Sequence, residues 1–190
     1  MKTFRSTLPA LLAIGLLGAG SANASQYSFS FLSSDQAYDV HGIVTTSDVL
    51  NAIGGYDITG VTGLVQGTAG GGVIDSLVAN PSPPNLATTG GFNYDNVAYA
   101  GSATTPFLDT YGALFTTAAN GISAAGTWNL YSTGGATYGL YSYTGFNGGV
   151  AAYTGTLTVA AVPEPSSWVM LVSGALCLGA VVRRRQSEVG

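Results

Sequence analysis

The sequence predicts an all-β fold, an antiparallel β-sandwich of the jelly-roll or immunoglobulin-like kind, from three observations. Glycine supplies 28 of the 190 residues, about twice its usual share, and glycine pairs recur as turn signals. The runs between these turns alternate apolar and polar side chains, as half-buried strands do. Hydrophobic residues make up 46% of the chain and charged residues only 7%, which is unlike a disordered segment. Many short strands with regular turns are typical of a sandwich.

Eight segments fit the strand pattern in order along the chain. They are residues 27–31, 38–42, 56–59, 73–78, 112–116, 128–131, 138–143 and 153–159. In the last of them Tyr153, Leu157 and Val159 face one way, and three threonines face the other. Asn147-Gly148, between the final two segments, is a strong signal for a hairpin turn.

Two further local features interrupt this series of strands. Residues 47–53 are predicted to form a helical turn, with Ser47 as its N-cap and Gly54 as its terminator. Prolines at 81, 83 and 84 mark a long loop between two halves of the domain. The predicted domain covers residues 25–161, and segments of a different character flank it on both sides.

The first 24 residues are typical of a secretory signal peptide. Lys2 and Arg5 precede an apolar stretch over residues 8–20, and Ala22-Asn23-Ala24 is a small-residue cleavage site. The mature chain is therefore expected to begin at Ser25. The alternative is a retained anchor, but the apolar stretch is shorter than the ~20 residues that a spanning helix needs.

The C-terminal segment has three parts in a fixed order. Val162-Pro163-Glu164-Pro165 comes first, followed by residues 168–182, which carry no charge and are predicted to form a transmembrane helix. As a helix this run would span about 22 Å, and Arg183, Arg184 and Arg185 behind it provide a stop-transfer signal on the cytoplasmic side. A plain single-span anchor explains the apolar run and the arginines but not the Pro-Glu-Pro.

These three parts together closely resemble the PEP-CTERM sorting signal, over residues 162–185. The resemblance implies recognition by exosortase, a membrane-embedded cysteine peptidase of Gram-negative bacteria. It implies export across the inner membrane, temporary anchoring there with the body outside the cytoplasm, and processing near the Pro-Glu-Pro. Delivery to the cell surface or to the exopolysaccharide matrix would follow. The body also resembles other ectodomains of this family, although less specifically, at residues 55–60 and 155–159.

Charge and cysteine content exclude several classes of function for the body. Residues 25–161 carry seven aspartates and no Glu, Lys or Arg, so the body lacks the clustered cations that bind nucleic acid or anionic lipid. Cys177, the single cysteine, lies in the C-terminal apolar run. The body therefore has no disulfide, no thiolate zinc site and no cysteine nucleophile.

The body is predicted to be non-enzymatic, without catalytic residues, metal or cofactor. A Ser-His-Asp triad would need His41, the only histidine, with Asp39 two residues away, but no supporting motif accompanies them. A single calcium ion could be bound by Asp35 with Asp39, or by Asp95 with its neighbouring asparagines 93 and 96. Aspartates that cap turns are the alternative reading.

Aromatic residues cluster late in the body, which suggests one alternative function, a carbohydrate-binding module on the same tail with polysaccharide as its partner. The cluster consists of Trp128, Tyr131, Tyr138, Tyr141, Tyr143, Phe146 and Tyr153. Aromatic faces on a sheet can stack on sugar rings, and the competing interpretation is core and cross-strand packing. A secreted hydrolase that uses the aspartates is a further alternative.

Overall fold

The computed structural model describes residues 25–68, 70–102, 106–118, 126–144, 149–163 and 173–174, with the backbone alone described for 143, 144 and 149–151. Eleven strands lie within these ranges. They are β1 (Gln26–Ser33), β2 (Tyr38–Leu50), β3 (Tyr56–Gly67), β4 (Gly72–Leu77), β5 (Ala87–Thr89), β6 (Phe92–Tyr94), β7 (Val97–Ala98), β8 (Ala113–Thr117), β9 (Gly126–Gly134), β10 (Thr137–Thr144) and β11 (Gly149–Ala161).

Eight of these strands form a closed antiparallel barrel. Their order is β2-β1-β11-β10-β9-β8-β4-β3, and β3 pairs back onto β2, which closes the ring. The all-β prediction is therefore right, but the predicted sandwich is wrong, because one continuous sheet closes on itself. Closure leaves no unpaired edge among these eight strands. The short β7 pairs with the start of β3, and β5 and β6 form a separate hairpin.

A pair of facing glycines lets the two longest neighbouring strands approach closely at the point of closure. Gly42 on β2 lies opposite Gly63 on β3, and Gly63 has φ +148°. A Cβ on Gly42 would collide with the Thr62 carbonyl oxygen, and one on Gly63 would collide with the His41 carbonyl oxygen. The pairing register shifts just beyond, after Thr45. Glycine kinks and bulges of this kind coil a sheet strongly enough to close it.

The barrel interior is filled by side chains and forms the main hydrophobic core. Its fully buried members of largest volume include Trp128, Phe31, Phe115, Leu140 and Val40. The Trp128 indole Nε1 donates a hydrogen bond to Thr117 Oγ1 at 3.0 Å, and its ring lies 5.4 Å from the Tyr38 ring. The inward positions alternate with outward ones, as the strand pattern predicted.

The β5–β6 hairpin builds a second, smaller cluster on the outer face of the barrel. Ala87, Phe92 and Tyr94 of this segment pack with Leu114, which is fully buried. Leu114 points away from the main core because its neighbours on β8, residues 113 and 115, both belong to that core. The hairpin thus covers the outside of β8 and the strands next to it.

The predicted helical turn at residues 47–53 is wrong, because β2 continues as a strand to Leu50 and pairs with β3. The Ser47 hydroxyl donates to the Val49 carbonyl oxygen and accepts a hydrogen bond from the Asp57 amide. The turn that follows is closed by the Asn51 side chain, whose Oδ1 accepts from the amides of residues 53 and 55. Side-chain bonds of this kind compete with helix formation.

Both ends of the domain lie side by side at one end of the barrel. Tyr27 on β1 pairs with Ala161 on β11, and the Val162 amide donates to the Gln26 carbonyl oxygen at 2.8 Å. The predicted signal peptide, residues 1–24, and the Asn147-Gly148 turn lie outside the described residues. The same holds for residues 164–172 and 175–190, and so for most of the predicted transmembrane helix 168–182. Within the described part of the chain, no helix is long and apolar enough to cross a membrane.

Candidate functional site

Strand alternation divides the late aromatic residues between the two faces of the barrel wall. Trp128, Tyr138 and Tyr153 belong to the main core, where they serve packing. Tyr131 and Tyr141 lie on the outer face, because each alternates with a core residue, Leu130 and Leu140 respectively. The side chains of residues 143 and 146 are not among those described. Of the five members of the predicted sugar-stacking set whose side chains are described, three are therefore internal.

The outer face carries a small open pocket of about 140 Å³ beneath the β5–β6 hairpin. Tyr131 and Tyr141 line it from the barrel wall. The remaining lining residues are Gly91, Phe92 and Asn93 from the hairpin, Thr110 from the loop before β8, and Asn129 from β9. The Phe92 and Tyr141 rings meet edge to face, with their centroids 5.1 Å apart. This arrangement fixes the Tyr141 ring in place.

The position of the Tyr131 ring depends on a glycine in the neighbouring strand. Gly139 on β10 pairs with Tyr131 on β9. A Cβ at position 139 would lie 2.6 Å from the Tyr131 Cζ atom, which is closer than van der Waals contact allows. The ring therefore lies over the bare backbone of β10, and the glycine gives this wall of the pocket its shape.

Asn129 supplies a polar group with an unused hydrogen-bonding capacity. Its residue is only 6% exposed, and its Nδ2 donates to the carbonyl oxygens of Tyr111 at 3.1 Å and Asn93 at 3.4 Å. Since both partners are acceptors, the amide nitrogen must face them, which fixes the orientation of Oδ1. Among the described residues Oδ1 has no hydrogen-bond partner. A buried acceptor without a donor costs about 1–3 kcal/mol.

Two carboxyl groups, the buried Asp95 and the partly buried Asp109, lie close along the chain to residues that line the pocket. Asp95, two residues after Asn93, hydrogen-bonds to the side chain of Asp109, which directly precedes Thr110. Burial, followed by the charge of Asp109, raises the pKa of Asp95 to about 7. Asp109 Oδ1 also accepts from the amides of residues 111 and 112, at 2.8 and 3.1 Å. Asp95 therefore takes up a proton near neutral pH, where an ordinary aspartate is ionised.

The other aspartates considered as ligands are used in turns and surface contacts. Asp35 accepts from the Ser33 hydroxyl at 2.6 Å and from the Ala37 amide, and the Ser33 hydrogen bond lowers the pKa of Asp35. Asp39 Oδ1 lies 3.3 Å from His41 Nδ1, with both side chains about half exposed. Neither residue lines the pocket. Asp35 and Asp39 thus have separate local partners.

The asparagines proposed as calcium ligands beside Asp95 also have structural partners. The Asn96 side chain bridges strands by donating to the Val78 carbonyl oxygen and accepting from the Leu114 amide. Asn93 Oδ1 accepts from the Thr88 hydroxyl. In the described residues no three His, Cys, Asp or Glu side chains come together in a way that could hold a metal ion.

Of the predicted sorting and cleavage residues, the structure describes Ser25, Val162 and Pro163. The Ser25 carbonyl oxygen accepts from the Thr46 amide at 2.9 Å, and Pro163 is exposed just beyond β11. The other predicted residues lie outside the described ranges; these are Ala22, Ala24, Glu164, Pro165, Arg183, Arg184 and Arg185.

Sequence reasoning missed Asn129, Thr110, Asp109 and the hairpin residues 91–93 as neighbours of one site. Asn129 alone left a signal, because it is a polar residue between two core positions of one strand. Comparisons with family models, with curated proteins and with solved structures found no match to this chain.

Proposed function

We propose that this chain is an exported, non-enzymatic protein of the cell surface or exopolysaccharide matrix, anchored in the inner membrane and then sorted by exosortase. One observation carries the proposal. Val162-Pro163-Glu164-Pro165, an apolar run and three arginines follow one another at the C-terminal end, in a chain whose first residues have the pattern of a signal peptide.

The way in which β11 ends supports a recognition segment outside the folded domain. The Val162 amide makes the last ladder bond, to Gln26. Pro163 has no amide hydrogen, so the ladder cannot continue through it, and the residue is exposed. An extended segment that is free of the sheet is a substrate that a peptidase can bind along its backbone.

An apolar tip at the same end of the barrel supports an orientation with that end toward the membrane. The turn between β2 and β3 carries Val49, Leu50 and Ile53, which are 68%, 54% and 51% exposed. This turn lies beyond the Thr46–Ser25 hydrogen bond, and so beyond the place where β1 begins and β11 ends. Exposed apolar groups at one site mark a contact surface.

The burial of Asp95 and the structural use of Asp109 support the non-enzymatic part of the proposal. Asp95 is 3% exposed, and Asp109 uses an oxygen to hold two backbone amides. General acid or base catalysis requires a carboxyl within hydrogen-bonding reach of a substrate.

Mass spectrometry of the mature C-terminus in the native host tests the sorting proposal. We expect a product that ends near Pro163-Glu164-Pro165, and replacement of all three residues by Ala should leave the protein uncut in the membrane fraction. The matched control replaces Ser166, Ser167 and Gln186 by Ala, and it should be processed like the wild type. A wild-type product that ends at Gly190 would contradict processing, and equal fractionation of both variants would indicate a plain anchor.

A further inference from the structure

We propose that the pocket beneath the β5–β6 hairpin binds a single ring of a neutral sugar, either free or as one residue of a polysaccharide. The site combines two tyrosine walls with a buried amide acceptor that has no donor within the described ranges. The inference goes beyond the proposed function and does not depend on the C-terminal tail.

The lining of the pocket favours an uncharged ligand. Its seven lining residues are Gly, Phe, Asn, Thr and Tyr, none of which is charged at neutral pH. An anionic ligand would find no cation there, since residues 25–161 contain no Lys or Arg. A cationic ligand would find no carboxylate among the lining residues. Removing an unpaired charge from water costs several kcal/mol.

The aromatic side chains favour a ligand with an apolar face. Tyr131 and Tyr141 present ring surfaces from adjacent strands, and the edge-to-face contact with Phe92 holds the second of them. The C–H groups on one face of a sugar ring can pack against such a surface. At about 140 Å³ the pocket lies well below the size of most drug-binding pockets, which suits one ring rather than a long oligosaccharide.

The unpaired acceptor favours a ligand that donates hydrogen bonds. Asn129 Oδ1 is fixed in orientation and lacks a donor among the described residues. Because Oδ1 is buried in the unliganded protein, a sugar hydroxyl donates to it only as the ligand displaces the side chains that cover it, and the same hydroxyl can accept from the Thr110 side chain on the pocket lining. A purely apolar ligand would leave Oδ1 unsatisfied, so the site discriminates against it.

Saturation-transfer NMR on the full chain tests this site directly. The protein is held in a phosphocholine detergent, because sugar-headed detergents would compete, and the probes are the methyl glycosides of glucose, galactose, mannose and N-acetylglucosamine. We expect at least one of them to bind with a Kd of about 1 mM, with saturation concentrated on the C–H protons of one ring face. Indole, an aromatic probe without hydroxyls, is expected to bind more weakly.

Three pocket variants and one matched control separate binding in the pocket from nonspecific binding elsewhere on the protein surface. Tyr131→Ala and Asn129→Leu should each weaken binding about tenfold or more. Tyr56→Ala removes a half-buried strand tyrosine that does not line the pocket, and it should bind like the wild type. Gly139→Ala keeps every lining residue but displaces the Tyr131 ring, so it should weaken binding even if Asn129→Leu does not fold.

Three results would overturn the proposal. The first is an absence of saturation for all four glycosides at 20-fold above the expected Kd of about 1 mM. The second is unchanged affinity in folded Tyr131→Ala and Gly139→Ala proteins. The third is binding of indole in the absence of sugar binding, which would assign the pocket to aromatic ligands.

Discussion

The two faces of β8, β9 and β10 differ in how completely their polar groups are satisfied. On the inner face the one indole N–H of Trp128 is paired with Thr117 in a core that runs through the whole barrel. The outer face carries a cluster of four buried residues, and an open pocket lies beside it. Asn129 lines this pocket, and its Oδ1 has no hydrogen-bond partner in the described part of the chain. The same strands therefore carry the main core on one side and an open pocket on the other.

The largest expected effect comes from removing one large side chain from each face of β9 and comparing the two losses of unfolding free energy. Trp128→Ala should lower the free energy of unfolding by about 3–5 kcal/mol, because it empties a fully buried site and removes one of the two donors to the Thr117 hydroxyl oxygen, the other being the Gly126 amide. Tyr131→Ala, three residues away on the outer face, should cost about 1 kcal/mol. Urea unfolding followed by circular dichroism measures both. Equal losses would show that the two faces contribute alike.

A substitution in the carboxyl pair near the pocket is expected to have an effect of intermediate size on the free energy of unfolding. Asp95 in the folded protein holds its proton up to about pH 7, whereas the unfolded chain releases it near its ordinary pKa of 3.8. Between these two pH values the folded state binds more protons than the unfolded chain. The contribution of Asp95 to the free energy of unfolding is therefore fully present below about pH 3.8 and is lost as pH rises to about 7. Asp95→Asn should remove that pH dependence and raise stability at pH 8 by about 1–3 kcal/mol.

Thermal unfolding between pH 4 and pH 8 measures this effect. Asn at position 95 can still accept the hydrogen bond from the Val97 amide, which Asp95 Oδ1 accepts at 3.1 Å. Asp75→Asn, at an exposed position on β4, is the matched control and should leave the pH profile unchanged. If Asp95→Asn destabilises the protein at pH 8, the two carboxyl groups do not repel one another as inferred.

The smallest effect on stability is expected at the apolar tip of the β2–β3 turn. Replacing Val49, Leu50 and Ile53 by Ser should change the free energy of unfolding by less than about 0.5 kcal/mol, since these side chains are more than half exposed. Contact with lipid should nevertheless fall.

An environment-sensitive fluorophore reports that lipid contact in phosphatidylcholine nanodiscs. It is attached at Ala52→Cys in a Cys177→Ser background. Contact with lipid should shift its emission to shorter wavelength in the protein with the wild-type tip, and the shift should be smaller in the Ser variant. A label at Ser34→Cys, in the turn at the other end of β1, is the control, and its emission should be that of a fluorophore exposed to water. A blue shift at Ser34 instead would reverse the proposed orientation.

Local patterns predicted the strands well, but they did not predict closure of the barrel. The alternating segments 27–31 and 153–159 correspond to parts of β1 and β11. A strand that is buried on one face alternates apolar and polar residues along the chain, so a local pattern is enough to predict it. Closure requires pairings between residues far apart in the chain, such as Tyr27 of β1 with Ala161 of β11, and single glycines such as Gly42 and Gly63 are equally consistent with turns or bulges. Sandwiches and barrels share the same alternation, so the pattern could not distinguish them.

The candidate site was predictable only in part for the same reason. Tyr131 and Tyr141 belong to the predicted aromatic set, but Trp128 and Tyr138 of that set are internal, because the face of each strand depends on its register. The hairpin that covers the pocket consists of two strands of three residues, too short for a periodic signal. Asp109 meets Asp95 only through the fold of the loop between them.

The adjacent ends of β1 and β11 have a mechanical consequence. β11 lies between β1 and β10 and is antiparallel to both, and the chain leaves it at Ala161 along the direction of the strand. A pull on the tail, with the body held by a polymer at the β9–β10 face, would load the hydrogen bonds of both ladders side by side and in shear. All of them must then yield together, so β11 resists such a pull better than a strand paired on one side only.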